Sequence, residues 1–336
     1  MGHEMVSSLT RNPRSLSGTR TRRIFAGAVA AAAIGAVPAA HAEIELGTGL
    51  SVVGFADMSY QYIDIDDADS ISKFGIDQFE MDFKFAGANG ISAQVDIEYG
   101  SHSTESGPEH TFVEQAFITK AFTEQFSMKV GRFLSYSGWE TEEPTGLFQY
   151  SGTGYAPYFY GYYQQGVSAY YDGGKVDFMA SVVNNAFNPI DYDSKKVGYE
   201  LGVAVTPVEG LTAKAFYIKD NDSKKDLYNF WVSYAVSGFT FAGEYNVAEK
   251  DGPGSDDGFL LMANYATGPF GFTVRYHDFK TEDVLGATDI DSSGLTFSPS
   301  YKASDNLLIV AEFRTDDVKA GGADSNQFAL EALFTF

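Results

Sequence analysis

The chain has 336 residues, 15% of them aromatic (21 Tyr and 28 Phe), 35 Gly, no Cys and a formal net charge of −22. Without cysteine there is neither a disulfide framework nor a thiol nucleophile, and so acidic a chain lacks the basic face that nucleic-acid binding needs. Mean hydropathy is slightly polar at −0.16, and after residue 42 no apolar run is long enough to make a spanning helix.

The first 42 residues read as a leader. Arg11, Arg14, Arg20, Arg22 and Arg23 precede an Ala- and Gly-rich stretch, 24–40, which closes on Ala40-His41-Ala42. A basic start, an apolar core and a small-x-small end, in that order, describe a secretory signal peptide. Residues 1–42 are therefore expected to be removed, leaving a single domain, 43–336, that starts near Glu43. The leader takes away five Arg and one Glu, which moves the net charge to −26.

From Leu50 the pattern becomes two-residue alternation. Ile91, Ala93, Val95, Ile97 and Tyr99 interleave with Ser92, Gln94, Asp96 and Glu98. Successive strand side chains face opposite sides, so one face meets an oily phase and the other meets water. The same pattern predicts strands at 50–63, 74–86, 91–99, 111–121, 126–133, 161–171, 176–184, 197–205, 211–219, 228–235, 239–247, 258–265, 270–278, 293–301, 307–314 and 327–336. Long connections (64–73, 100–110, 134–160, 185–196, 220–227, 248–257, 279–292, 315–326) alternate with short turns such as Gly87-Ala88-Asn89-Gly90 and Asp172-Gly173-Gly174-Lys175. An even number of alternating strands, joined by short turns on one rim and long loops on the other, describes a bacterial transmembrane β-barrel. The fold expected is all-β: an antiparallel barrel of about sixteen strands in the outer membrane of a Gram-negative bacterium. Its aromatic richness suits the girdles at the two interfaces. The last strand ends on Phe336, as barrels handled by the outer-membrane assembly machinery do.

Alternation also sorts the charges. Glu80, Asp82, Asp96, Glu98, Asp177, Glu200, Glu244, Glu312 and Glu331 face inward, against Lys84, Lys129, Lys214, Arg275 and Arg314. Arg132 breaks the pattern of its strand and is expected at the membrane rim or on a bulge. The longest loop, 134–160, carries Glu140, Glu142 and Glu143, followed by the aromatics Tyr155, Tyr158, Phe159, Tyr160, Tyr162 and Tyr163. These rings suit either the girdle or a sugar-stacking track. Asp64-Ile65-Asp66-Asp67-Ala68-Asp69-Ser70 spaces oxygens like a calcium loop but lacks the Gly and Glu of an EF-hand, so no metal site is assigned and no cofactor is expected. Divalent ions shared with lipopolysaccharide fit the acids of the outer loops. His277 adjoins Asp278, but neighbours on a strand point to opposite faces, so no catalytic dyad forms and an enzyme is not expected.

The segments Val113-Glu114-Gln115-Ala116-Phe117-Ile118, Lys129-Val130-Gly131-Arg132-Phe133, Gly138-Trp139-Glu140, Phe148-Gln149-Tyr150-Ser151 and Gly166-Val167-Ser168-Ala169-Tyr170-Tyr171 resemble the OmpL-like β-barrel porin family. The resemblance implies a porin-like channel for passive diffusion of small hydrophilic solutes. By analogy with general porins the third outer loop, 134–160, folds into the lumen. Glu140, Glu142 and Glu143 would then ring a constriction and favour cations. The same analogy suggests a homotrimer. A substrate-specific channel, for a sugar for example, and a plugged structural or adhesive barrel remain as alternatives.

Overall fold

A computed structural model describes residues 43–100, 110–140, 143–188, 193 and 195–336. Residues 1–42, the expected leader, and Glu142 lie outside the described residues. The elements are β1 (Ile44–Gly47), β2 (Leu50–Ile65), β3 (Ile71–Ala86), β4 (Ile91–Gly100), β5 (His110–Ala121), β6 (Phe126–Leu134), α1 (Ala156–Phe159), β7 (Tyr163–Tyr171), β8 (Val176–Val183), β9 (Gly198–Val205), β10 (Leu211–Asp220), β11 (Lys225–Val236), β12 (Phe239–Glu249), β13 (Ser255–Thr267), β14 (Phe270–Glu282), β15 (Thr288–Lys302), β16 (Leu307–Ala320) and β17 (Ser325–Thr335). Each strand from β2 to β17 pairs antiparallel with its neighbour in sequence, and β17 pairs back onto β2, which closes a sixteen-stranded barrel.

Burial inverts the order of a soluble core. Phe178, Leu201, Phe230, Leu261, Val274 and Phe313 stand exposed on the outside, while Thr273, Arg275, His277, Glu200 and Asn246 are fully enclosed. Both follow from one periodicity: apolar positions meet lipid and polar positions face the lumen. Closure leaves no free sheet edge, so the backbone groups of a lipid-facing wall are satisfied within the sheet.

The seam is built by the chain ends. Phe336 exchanges backbone hydrogen bonds with Gly54, each 2.9 Å, and its ring stacks on Phe79 at 6.2 Å. A Cβ on Gly54 would lie 2.3 Å from the Glu80 carbonyl and 2.7 Å from the Phe336 ring, so the position has room only for glycine. Beyond the point where β17 stops, β1 pairs with Leu50–Val52. This short strand is absent from the alternation reading, because four residues are too few to show a period.

Several outer loops are shorter than expected. β15 begins at Thr288 and β16 runs to Ala320, so the joining loops shrink to 283–287 and 321–324. These strand ends carry polar residues on both faces, as water on both sides requires, and alternation fades there.

Among the register shifts of the described strands, two β-bulges act on the acidic strands β3 and β5. On β3, Asp57 pairs with Gln78 and Met58 with Ile76, so Asp77 is the extra residue. On β5, Asp96 pairs with Gln115 and Ile97 with Val113, so Glu114 is extra. A bulge shifts the phase of a strand and re-aims a side chain. Here Asp77 joins Gln78 on the lumen side, and Glu114 joins Gln115.

Candidate pore constriction

The connection from β6 to β7, residues 135–162, lies against lumen-facing side chains. Its described residues contain a 3-10 turn, Pro144–Gly146, and the one-turn helix α1. Having little regular structure, it must satisfy its backbone groups on the wall. The Gly138 amide donates to Asn229 on β11 at 3.1 Å and the Trp139 amide to Glu244 on β12 at 3.0 Å. The Tyr136 amide donates to Glu200 on β9 at 2.8 Å. Glu244 also accepts from Tyr155 at 2.6 Å, from Tyr160, and from Asn229 at 2.5 Å. On β14 and β16, Arg275 and Arg314 collect carbonyls of the segment's centre: Arg275 donates to Ser151, and Arg314 to Gly152 at 2.5 Å and Thr153 at 3.1 Å.

Glu140 is 7% exposed and sits 2.6 Å from Arg275, which is fully buried. Its carboxylate accepts in addition from Gln149 Nε2 at 3.1 Å and from the Thr153 amide at 2.7 Å. A carboxylate matched this closely by a guanidinium adds little net field to a passing ion; its effect is to pin the segment to β14. Glu143 lies across the lumen from that ion pair, accepting from Gln78 on β3 at 3.4 Å and from Tyr163 at 3.3 Å. Burial holds its carboxyl well above the usual range, and the charges of Glu114, Asp82 and Glu98 add to the effect.

The loop aromatics stand neither in a girdle nor along an open track. Tyr155, Phe159, Tyr160 and Phe133 pack with Ile218, Leu227, Leu260 and Phe279 into a core inside the barrel. Tyr155 meets Phe159, Tyr160 and Phe279 edge-on at 5.5 to 5.9 Å. Buried apolar area holds the segment in place here, as in any soluble core.

The remaining lumen charges are unevenly distributed. Glu80, Asp82, Asp96, Glu98 and Glu114 gather on β3, β4 and β5, and Asp57 and Glu331 adjoin them across the seam. Lys84 pairs with Asp82 at 3.3 Å. The other cations stand elsewhere. Lys129 on β6 lies over the rings of Phe117, Phe133 and Tyr136, and Lys214 on β10 lies 4.9 Å from Trp231. Glu312 on β16 accepts from the Ser151 amide at 3.1 Å. Alternation misses Asp77 and Glu114, although two successive polar residues, Asp77-Gln78 and Glu114-Gln115, mark both bulges in the sequence. Arg132 stays on the outer face of β6 and donates to the Val113 carbonyl at 2.9 Å. It lies in a shallow groove with Gly131, Gln165 and Gly166.

A closed barrel of this size, apolar outside and ionisable within, defines an outer-membrane protein of the porin class. Residues 49–336 match the family described as "Putative beta-barrel porin-2, OmpL-like", and the chain belongs to that family. Comparison with curated protein sequences finds no match. Among solved structures the chain resembles a loop-deletion form of OmpT, an outer membrane protein of Vibrio cholerae (16% identity, 86% of this chain and 100% of that one, TM-score 0.62). It also resembles Salmonella typhi OmpF in complex with daunomycin (14% identity, 88% and 100%, TM-score 0.65) and Pseudomonas putida OprB (10% identity, 86% and 94%, TM-score 0.65). At these identities the likeness establishes the barrel fold alone.

Proposed function

We propose that the protein is a cation-selective channel for passive diffusion of small hydrophilic solutes. Its passage runs along the acidic wall of β3 to β5, which segment 135–162 touches through Glu143 and Tyr150. The observation that carries this reading is the asymmetry of the lumen. Arg275 and Arg314 are occupied by the inserted segment, whereas Glu80, Asp82, Asp96, Glu98 and Glu114 crowd one side with Lys84 as the neighbouring cation. Carboxylates lining a narrow passage attract cations and repel anions. In this reading the acids of β3 to β5 set the selectivity, and Glu140 acts as an anchor. Passage of ions through such a lumen requires no chemistry, and we infer a non-enzymatic role.

Export with cleavage after Ala42, recognition of Phe336 by the assembly machinery and contact with lipopolysaccharide belong to the same proposal. So does a homotrimer, which one Vibrio cholerae OmpT structure is described as forming. Recording single barrels in a planar bilayer tests the reading, which expects ohmic conductance. A specific observation favours a plugged barrel instead. Tyr150 reaches Asp77 at 3.0 Å and Ser59 at 3.1 Å, on the wall away from Arg275, so the segment touches both sides. Absence of conductance from correctly folded protein would select that alternative.

A further inference from the structure

The acids of β3, β4 and β5 are closer together than a solvated wall requires. One carboxylate oxygen each from Glu80, Glu98 and Glu114 lies within 4.8 Å of the others, and the same holds for Glu80, Asp82 and Asp96. Glu143 adds a further carboxyl from the inserted segment, next to Glu80 and Glu114. Charge density alone does not make a site; the orphaned oxygens point to a ligand. Glu114 is 2% exposed, and its Oε2 has no hydrogen-bond partner. Asp96 is 1% exposed; its Oδ2 accepts from Gln94 at 2.9 Å and Gln115 at 2.7 Å, while its Oδ1 has no partner. Buried polar atoms are almost always satisfied, and a buried carboxylate is normally paired or bound to a metal. Glu114 reaches this position only because the β5 bulge turns it inward beside Gln115. Without the bulge, strict alternation would aim it at lipid.

We propose that Glu80, Glu98 and Glu114 bind one hard divalent cation, Ca2+ in preference to Mg2+, with Asp82, Asp96 and Glu143 around it. An all-carboxylate donor set selects hard cations over Zn2+ or Cu2+. Ca2+ takes oxygens at roughly 2.3–2.6 Å, so oxygens within 4.8 Å of one another can reach a single ion. Ca2+ accepts irregular coordination with carboxylates in one- or two-oxygen mode, whereas Mg2+ demands a near-ideal octahedron and keeps its waters. The bound ion links three adjacent strands and, through Glu143, the inserted segment. It also cancels part of the charge on the acidic wall. That last consequence rests on the channel reading; the site itself does not.

Calorimetric titration of the whole purified barrel with CaCl2 tests the site, in detergent free of lipopolysaccharide and after removal of metals with a chelator. The expected result is one saturable Ca2+ per barrel. Binding should weaken by about tenfold or more in Glu114→Gln, as loss of a direct ligand implies, and stay unchanged in Asp251→Asn on the exposed outer rim. Wild-type protein without saturable binding would overturn the site whether or not the variants fold, and would mean that the acids share protons. Equal binding by wild type and folded Glu114→Gln would overturn the placement. Because this titration reads no current, a barrel that binds Ca2+ but fails to conduct would count against the channel and leave the site standing.

Discussion

Arg275→Met should free segment 135–162 from the wall while leaving the barrel closed. Arg275 is fully buried, lies 2.6 Å from Glu140, and donates to Ser151, to Ser151 Oγ at 3.2 Å and to Thr296 Oγ1 at 3.0 Å. The substitution leaves Glu140 charged, 7% exposed and held by Gln149 and the Thr153 amide. Removing one partner of a buried ion pair costs about 3–5 kcal/mol, mostly from the stranded charge. The barrel ladder uses none of these groups, so the cost falls on docking of the segment. Hydrogen exchange read by mass spectrometry at Trp139 and Thr153 should accelerate by roughly two to three and a half orders of magnitude, at about 1.4 kcal/mol per decade. Glu140→Gln should have a smaller effect, and combining it with Arg275→Met should recover part of the loss, because no lone charge remains. Asp222→Asn, which breaks the exposed pair with Lys196, should leave exchange of the segment unchanged. The reasoning fails if Arg275→Met exchanges like wild type, or if the whole barrel opens with it.

Val274, in the middle of β14 and 47% exposed to lipid, should tolerate Arg poorly, at about 2–4 kcal/mol in unfolding from lipid vesicles. Gln94→Arg, on the lumen side beside Asp96, should cost far less, and equal costs would mean a register wrong by one residue. Thr273→Arg, despite facing the lumen, should displace the segment, because Thr273 is fully buried and donates to the Phe148 carbonyl at 2.7 Å. Gly54→Val should block closure at the seam and abolish the mobility shift on heating in detergent; a shift like that of wild type would contradict the packing around Phe336. Burial and the acids around it raise the folded-state value of Glu143 above its unfolded one. Its contribution to docking is therefore complete below the ordinary carboxylate range and lost as pH rises through the raised value. Acidification should protect the segment beyond the intrinsic slowing of exchange, and Glu143→Gln should remove that dependence; faster opening at low pH would contradict it.

The barrel was legible because lipid imposes a strict period of two. Ile91 to Tyr99 alternates without a break, and the paired partner of every such strand is its neighbour in sequence. Legibility ends where the lipid does. Residues 288–292 and 315–320 are strand, but Ile290 and Val318 are too few to show a period. It also ends at the bulges, since one inserted residue reverses the inward set and hides Asp77 and Glu114. The partners of the inserted segment were not readable at all. Glu140 and Arg275 stand far apart in sequence, and which wall the segment meets depends on three-dimensional packing around Tyr155 and Phe159. Glu140 illustrates the result: its type and loop suggest a filter, and its surroundings make it an anchor.

A reversal potential measures the sign of the field in the lumen. With purified barrels in a planar bilayer under a KCl gradient, the account predicts a cation-selective potential. It should shrink as salt rises and the Debye length falls below about 10 Å, and it should shrink further in Glu80→Gln. An anion-selective wild type would contradict the account.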